Sequence, residues 1–372
     1  MNPQPAPAIR VTPLAGLHAA AGAKMGAWFS CALPDDFGDW QAEYRFARES
    51  VALIDKNYRA TFSFTGPDRV RYLNAILTNN IRDLKTGEGT ISLLLNPQGH
   101  ILAEIETYAM EDRILGVSHA MVRERLRETV ERFIIMDDVT LEDDTEKFGT
   151  LALEGPKSAE IVREICGVEL ESLPELGHRT VTPSDGGLRE GEVRLFRRSP
   201  GGVAGAEFLV QREALPAWWR ALERCARARG GGPMGYAALS ALRLELGVPW
   251  FGYDFDEKQI PHEAGLQDSH ISYVKGCYTG QEIVERVRSR GHVNRMRVLL
   301  KLSDSKAPAA GTPLSVDGKE VGAITRSAYS PALGSCIAMA YVRRESAGPD
   351  VALECGGAQA ELISPPLAAA GD

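Results

Sequence analysis

No two of the six cysteines stand in a C-x-x-C pair. Cys31, Cys166, Cys225, Cys277, Cys336 and Cys355 are scattered singly along the 372 residues, which suits a reducing compartment and supplies no zinc or iron–sulfur ligand set of the chain's own. Any cluster chemistry would have to involve a partner's cluster or one shared between chains. A long hydrophobic run is missing too: nothing approaches the roughly eighteen apolar residues that span a bilayer, and the stretch from Leu14 to Phe29 is interrupted by His18 and Lys24 before it could act as a secretory signal. Positive charge is in deficit, 42 Lys and Arg against 50 Asp and Glu for a net charge of −8, which argues against indiscriminate binding to nucleic acid or to an anionic membrane. The expectation is a cytoplasmic protein with no membrane contact and no direct nucleic-acid partner.

What is present is ordinary globular composition, 44% hydrophobic and 25% charged, on a chain long enough for two or three cores. The proline-rich start is expected to be disordered over residues 1–11. Two segments share one pattern: Phe62 to Thr65, Gly66-Pro67 and an apolar-faced run to Leu77, then Leu151 to Glu154, Gly155-Pro156 and a similar run to Cys166. Each predicts strand, turn and helix with proline in the first helical turn, and together they predict two related lobes, about 50–145 and 146–235. Further strands are predicted at Ile91 to Asn96, Ile101 to Tyr108 and Glu207 to Val210. Helices are predicted on Val122, Leu126, Val130 and Phe133, on Leu215, Trp218, Trp219, Leu222 and Cys225, and over Tyr236 to Leu246. Strands and helices alternate without the βαβ rhythm, so the class is α+β. Trp218 and Trp219 read as core packing rather than a ligand platform. From about residue 293 to 366 the short strands Met296 to Leu302, Glu320 to Thr325, Ile337 to Val342 and Ala360 to Ile363 predict a small all-β domain, behind a body of residues 12–292.

Lys275-Gly276-Cys277-Tyr278-Thr279-Gly280-Gln281-Glu282 is the densest cluster of small, reactive and hydrogen-bonding residues in the chain. A cysteine held between a glycine turn and a lysine becomes partly thiolate if that positive charge lies close, and the thiolate is the nucleophile. The plainer reading is a tight turn before a helix with a buried, inert cysteine. The basic run that follows, Arg286, Arg288, Arg290, His292, Arg295 and Arg297, suits a polyanionic ligand or an acidic protein face, or else a solvated strand edge.

Several segments carry a family resemblance. Thr12-Pro13-Leu14, His18, Gly22-Ala23-Lys24-Met25, Leu77 to Ile81, Leu95 to Gly99, Leu242 to Gly247 and Pro261 to Leu266 resemble the aminomethyltransferase T-protein of the glycine cleavage system, from about Thr12 to Leu362. The octapeptide resembles the signature of the YgfZ-like branch, folate-binding proteins linked to iron–sulfur cluster assembly and repair. The resemblance implies two ferredoxin-like lobes and a C-terminal β-barrel around a central folate cavity, with tetrahydrofolate as cofactor. It also implies that Glu207 faces the pterin, that Arg243 lines the same cavity and that Tyr253 stacks nearby. A carboxylate suits a pterin's amino and ring N–H edge because it accepts two hydrogen bonds. Read without the family, Glu207 is a strand-edge acid, Arg243 pairs with Glu245 on a helix surface and Tyr253 is a packed ring.

The chain also departs from the T-protein pattern. Where that family carries consecutive aspartates, this chain reads Gly99-His100-Ile101-Leu102-Ala103-Glu104-Ile105, with Ala103 for one acid and the longer Glu104 for the other. Transfer chemistry needs a carboxylate placed to well within an ångström, so a classical aminomethyltransferase is not the first expectation. That place goes to a tetrahydrofolate-binding accessory protein, with Cys277 as a reactive thiol, that transiently meets iron–sulfur client or assembly proteins and so supports tRNA modification indirectly. The alternative is a folate-dependent aminomethyl- or methyltransferase with Glu104 as acid–base group. A binding module that has lost folate is the third reading.

Overall fold

The computed structural model describes residues 9–183, 188, 193–349 and 351–367. Of the expected disordered start, residues 1–8 lie outside that range, and Arg10–Val11 correct the rest: they form a strand parallel to Cys31–Asp36, with Arg10 opposite Cys31. The chain divides into two compact units. Unit 1 is Met1–Arg69, Leu84–Gly89 and Glu106–Ala238, and unit 2 is Val70–Asp83, Thr90–Ile105 and Leu239–Asp372.

Unit 1 holds one strand–turn–helix repeat whole and the strand and turn of the other. In its six-stranded sheet, Phe148–Glu154 lies between Gly205–Gln211 and Ala52–Asp55, antiparallel to both. The helices Ser158–Cys166 and Leu215–Ala228 bury Ile161, Ile165, Trp218, Trp219 and Leu222 against Leu151, Leu153 and Phe208, so the tryptophan pair is core, as its helical spacing requires. In the other repeat Arg59–Thr65 pairs antiparallel with Ile114–His119 and Thr140–Asp143. Tyr108, Leu115, Val117, Phe196 and Leu209 make a smaller apolar cluster. Gly66 and Gly155 occupy matching turns at φ +94° and +130°, where a Cβ would lie 2.2 Å from the Asp138 carbonyl oxygen and 2.5 Å from that of Ser50. Only glycine fits such a left-handed, crowded corner. The helices start at Arg69 and Ser158, so each proline sits in the turn before the helix and not inside it.

His178 belongs to this unit's buried polar set. It bonds the Ala109 carbonyl through Nε2 at 3.1 Å and accepts from Arg194 through Nδ1 at 3.1 Å. Burial, reinforced by the Arg194 charge, holds its pKa down at about 4 against the ordinary 6.5. Between those values the unfolded chain binds the extra proton, so stability is fully present above pH 6.5 and falls as pH drops towards 4, by about 3 kcal/mol for this group. His178→Gln keeps a donor and an acceptor but cannot titrate. Its urea midpoint should therefore fall less than the wild type's between pH 6.5 and 4, whereas parallel losses would assign the acid sensitivity elsewhere.

Unit 2 contains most of the helices Arg69–Ile76 and Tyr236–Glu245, the helix Gln281–Arg290 and a closed barrel. Six strands close it, in the order Arg295–Leu302, Ser335–Arg343, Lys319–Ser330, Pro313–Val316, Leu353–Cys355 and Ala358–Ile363. Leu300, Leu314, Ile324, Ala338, Ala340 and Val342 fill the interior. Closure removes the unpaired edges that an open sheet would expose. Pro313–Val316 and Leu353–Cys355 were not expected from sequence. The basic run is also corrected: Arg286, Arg288 and Arg290 ride an exposed helix, and only Arg295 and Arg297 lie on a strand.

Candidate functional site

Glu207 sits on the interior strand Gly205–Gln211 of unit 1, opposite Ala152 on one side and Phe196 on the other, so it is no strand-edge acid. It is 4% exposed. Its Oε1 accepts from Lys56 Nζ at 2.8 Å and its Oε2 from Arg59 Nη1 at 3.0 Å. Lys56 also lies 3.4 Å from Glu154, and Arg59 reaches Glu106 with its other terminal nitrogen. Arg198 Nε donates to Glu106 at 3.1 Å, and the Tyr108 hydroxyl donates to the same carboxylate at 2.7 Å. Three cations and three carboxylates are thus balanced in the interior, the condition under which buried charge is tolerable. Burial, then the Glu106 charge, pushes the Tyr108 hydroxyl well above its ordinary range, so it stays a donor. Apart from Glu207, sequence reasoning missed this cluster. A signal was there, because Glu104, Glu106 and Tyr108 alternate along the strand Ile101–Ala109 and so share a face.

The remaining sequence-predicted residues lie in unit 2. Glu104, on the first part of that strand, is partly exposed and accepts from His270 Nε2 at 3.1 Å, while His270 Nδ1 meets the Ser269 hydroxyl at 2.7 Å. The imidazole therefore has one ring nitrogen on a carboxylate and the other on a hydroxyl, which fixes its orientation. Ala103 points to the buried face of the same strand. Arg243 is buried on the helix Tyr236–Glu245 at 3% exposure. The expected surface pair with Glu245 is corrected, because Glu245 is itself buried and accepts from Ser330 Oγ at 2.5 Å and from the Ala332 amide at 3.2 Å. Tyr253 is half-buried with its ring edge-on to Trp250 at 5.8 Å, and Arg326 covers a face of Trp250 at 4.1 Å.

The octapeptide is both turn and helix start. Lys275 is buried, and its ammonium donates to the carbonyls of Asn74, Leu77 and Asn79 at the end of the helix Arg69–Ile76. Three acceptors at a helix C-terminus suit a cation with three donors. Burial still draws its pKa from 10.5 to about 8. The positive charge expected beside the thiol is thus directed into the protein. Tyr278 is buried with its ring 5.0 Å from the Lys275 ammonium. Gly280 precedes the helix Gln281–Arg290 at φ +81°, where a Cβ would come 2.7 Å from the Asn96 carbonyl. Gln281 is half-buried, and Glu282 is exposed and paired with Arg286 at 2.7 Å. Gly276 and Cys277 are exposed, while the other five cysteines are buried, so the plainer reading of Cys277 as a buried thiol is corrected. Among the described residues no three His, Cys, Asp or Glu side chains are grouped to hold a metal ion, and no helix is long and apolar enough to cross a membrane.

Comparison with known proteins follows this architecture. A family model described as the GCVT N-terminal domain matches residues 14–269, and one described as the glycine cleavage T-protein C-terminal barrel domain matches residues 295–367. The chain belongs to the glycine cleavage T-protein family. Among curated relatives, the aminomethyltransferase of Moorella thermoacetica is 30% identical over 336 residues, covering 90% of each chain. That of Rubrobacter xylanophilus is 28% identical over 340 residues, covering 91% of this chain and 89% of the relative. The solved structure of the glycine cleavage system aminomethyltransferase T from Bartonella henselae superposes with a TM-score of 0.86 over 96% of this chain and 98% of that one, at 23% identity. The T-protein fold expected from sequence, α+β with a C-terminal barrel, is therefore present. The named relatives are aminomethyltransferases, which favours the expected alternative over an iron–sulfur role.

Proposed function

We propose that this T-protein-family chain binds a reduced folate and transfers a one-carbon unit carried on it, as an aminomethyl- or methyltransferase. The observation that carries the reading is the Glu104–His270 pair: a partly exposed carboxylate, oriented by an imidazole, on the strand where the family resemblance calls for an acid. The donor and acceptor chemistry of the other residues fits a folate. Each carboxylate oxygen can accept two hydrogen bonds, and Glu207 Oε2 receives one at 3.0 Å, which leaves capacity for a pterin N–H. When bound, tetrahydrofolate supplies the nitrogen that carries the one-carbon unit. In unit 1 Glu207 would accept from a pterin N–H edge; in unit 2 Arg243 would add a fixed positive charge and Tyr253 an aromatic surface. Glu104 takes and returns the proton, held in place by His270.

General acid–base groups contribute about 10²–10⁴-fold to rate. Formation of methylene-tetrahydrofolate from an aminomethyl donor should fall by about that factor in Glu104→Gln, with folate affinity retained. Unchanged turnover in that variant would remove Glu104 from the mechanism.

A second reading is favoured by one feature, the exposed Cys277 on a loop tethered through Lys275. A folate-binding accessory protein could use that thiol on iron–sulfur client proteins. In cells lacking the native protein, Cys277→Ala should then fail to restore iron–sulfur enzyme activity that the wild type restores. Full restoration by the variant would dismiss this role.

A further inference from the structure

We infer that a cavity in unit 2 binds a small organic anion, carboxylate-headed with an apolar body, through Arg297. This site rests on none of the residues assigned to folate. The cavity measures about 410 Å³, and its lining includes Gly247, Arg297, Val298, Leu299, Leu362 and Pro365, a size within the roughly 300–1,000 Å³ usual for small-molecule sites. Most of its described lining residues are aliphatic, and Arg297 is the one charged residue among them.

The guanidinium of Arg297 is partly buried and satisfied only in part. Nε donates to the Ala264 carbonyl at 2.8 Å, and Nη1 reaches the Gly247 carbonyl and the Met339 sulfur, both at 3.4 Å. Among the described residues Nη2 has no acceptor, and no carboxylate pairs with Arg297. The nearby acids are committed elsewhere. Asp254 Oδ2 accepts from Arg326 Nε at 3.0 Å and from its Nη2 at 2.6 Å, and Oδ1 accepts from Thr325 at 2.8 Å. Glu263 pairs with Arg295 at 3.1 Å. Two arginine–carboxylate pairs are therefore complete, and among the described residues Arg297 is left without a carboxylate. Burial, the largest cause, draws its pKa below the ordinary value; Tyr341 and Asp254 oppose this and Arg326 adds to it. A partly buried cation without a counter-ion is relieved by an anion, and a carboxylate matches the guanidinium fork better than a point charge does. The aliphatic walls then select an anion with an apolar body over a hydrated one.

The test uses the full chain with hexanoate as probe, and 1-hexanol and inorganic phosphate as controls that carry only the body or only the charge. Hexanoate should bind saturably by calorimetry and raise the melting temperature. Both controls should bind roughly tenfold or more weakly, and Arg297→Met should lose hexanoate by a similar factor. Ser364→Trp, which fills the cavity from its rim and leaves Arg297 in place, should lose it too, and decides the matter alone if Arg297→Met does not fold. Absence of saturable hexanoate binding in the wild type, binding undiminished in the folded variants, or phosphate binding as tight as hexanoate would overturn the assignment.

Discussion

Arg59→Met should lower stability by about 3–5 kcal/mol, the usual result of removing one partner from a buried ion pair. The wild-type cluster balances Lys56, Arg59 and Arg198 against Glu106, Glu154 and Glu207. Without Arg59, Glu207 keeps Lys56 and Glu106 keeps Arg198 and the Tyr108 hydroxyl, but three carboxylates then face two cations in a low-dielectric interior. Methionine replaces the stem's packing, so the loss reports charge and hydrogen bonds rather than a void. A second substitution, Glu207→Gln, restores the count and should recover part of the stability. Urea unfolding of the wild type, the two single variants and the double variant gives a coupling energy for the pair. Strictly additive losses would mean that Arg59 and Glu207 do not act on each other.

Asp254→Ala should have a comparable effect on unit 2, about 3–5 kcal/mol. Its carboxylate takes two bonds from Arg326, one from the Trp250 amide at 2.8 Å and one from Thr325. Removing it strands a guanidinium whose side chain is only 5% exposed, together with a buried amide and a hydroxyl. Arg326 also reaches the Ser240 carbonyl at 3.2 Å and the Val248 carbonyl at 3.3 Å, so the barrel strand Lys319–Ser330 loses its grip on the segment after the helix Tyr236–Glu245. Asp254→Asn keeps the shape and part of the bonding and should cost less. Equal losses in the two variants would indicate that charge is not what holds the contact.

Much of the fold was legible in the sequence because local pattern and tertiary role agree. The helix at Leu215–Ala228 buries the residues its 3.6-residue period selects, and the two glycine turns stand where the repeat placed them. Arg286, Arg288 and Arg290 misled because a charge at every second position imitates a strand, although Gly280 and Gly291, both at positive φ, bracket a helix. The two missed barrel strands are four and three residues long, too short for alternation to stand out. The buried charge cluster left only one trace in the sequence, the alternation of Glu104, Glu106 and Tyr108. Its members come from residues 56 to 207, and each alone looks like a surface charge until the strands bring them together. Lys275 shows the converse, since adjacency to Cys277 in sequence says nothing about where a long side chain ends, and three carbonyls claim it.

Titration of the full chain with tetrahydrofolate by calorimetry, on the wild type and on Glu207→Gln verified as folded, tests the folate assignment most directly. Saturable binding by the wild type, weakened roughly tenfold or more in the variant, is the expected result. No saturable heat with the wild type, or equal affinity in the variant, would contradict it.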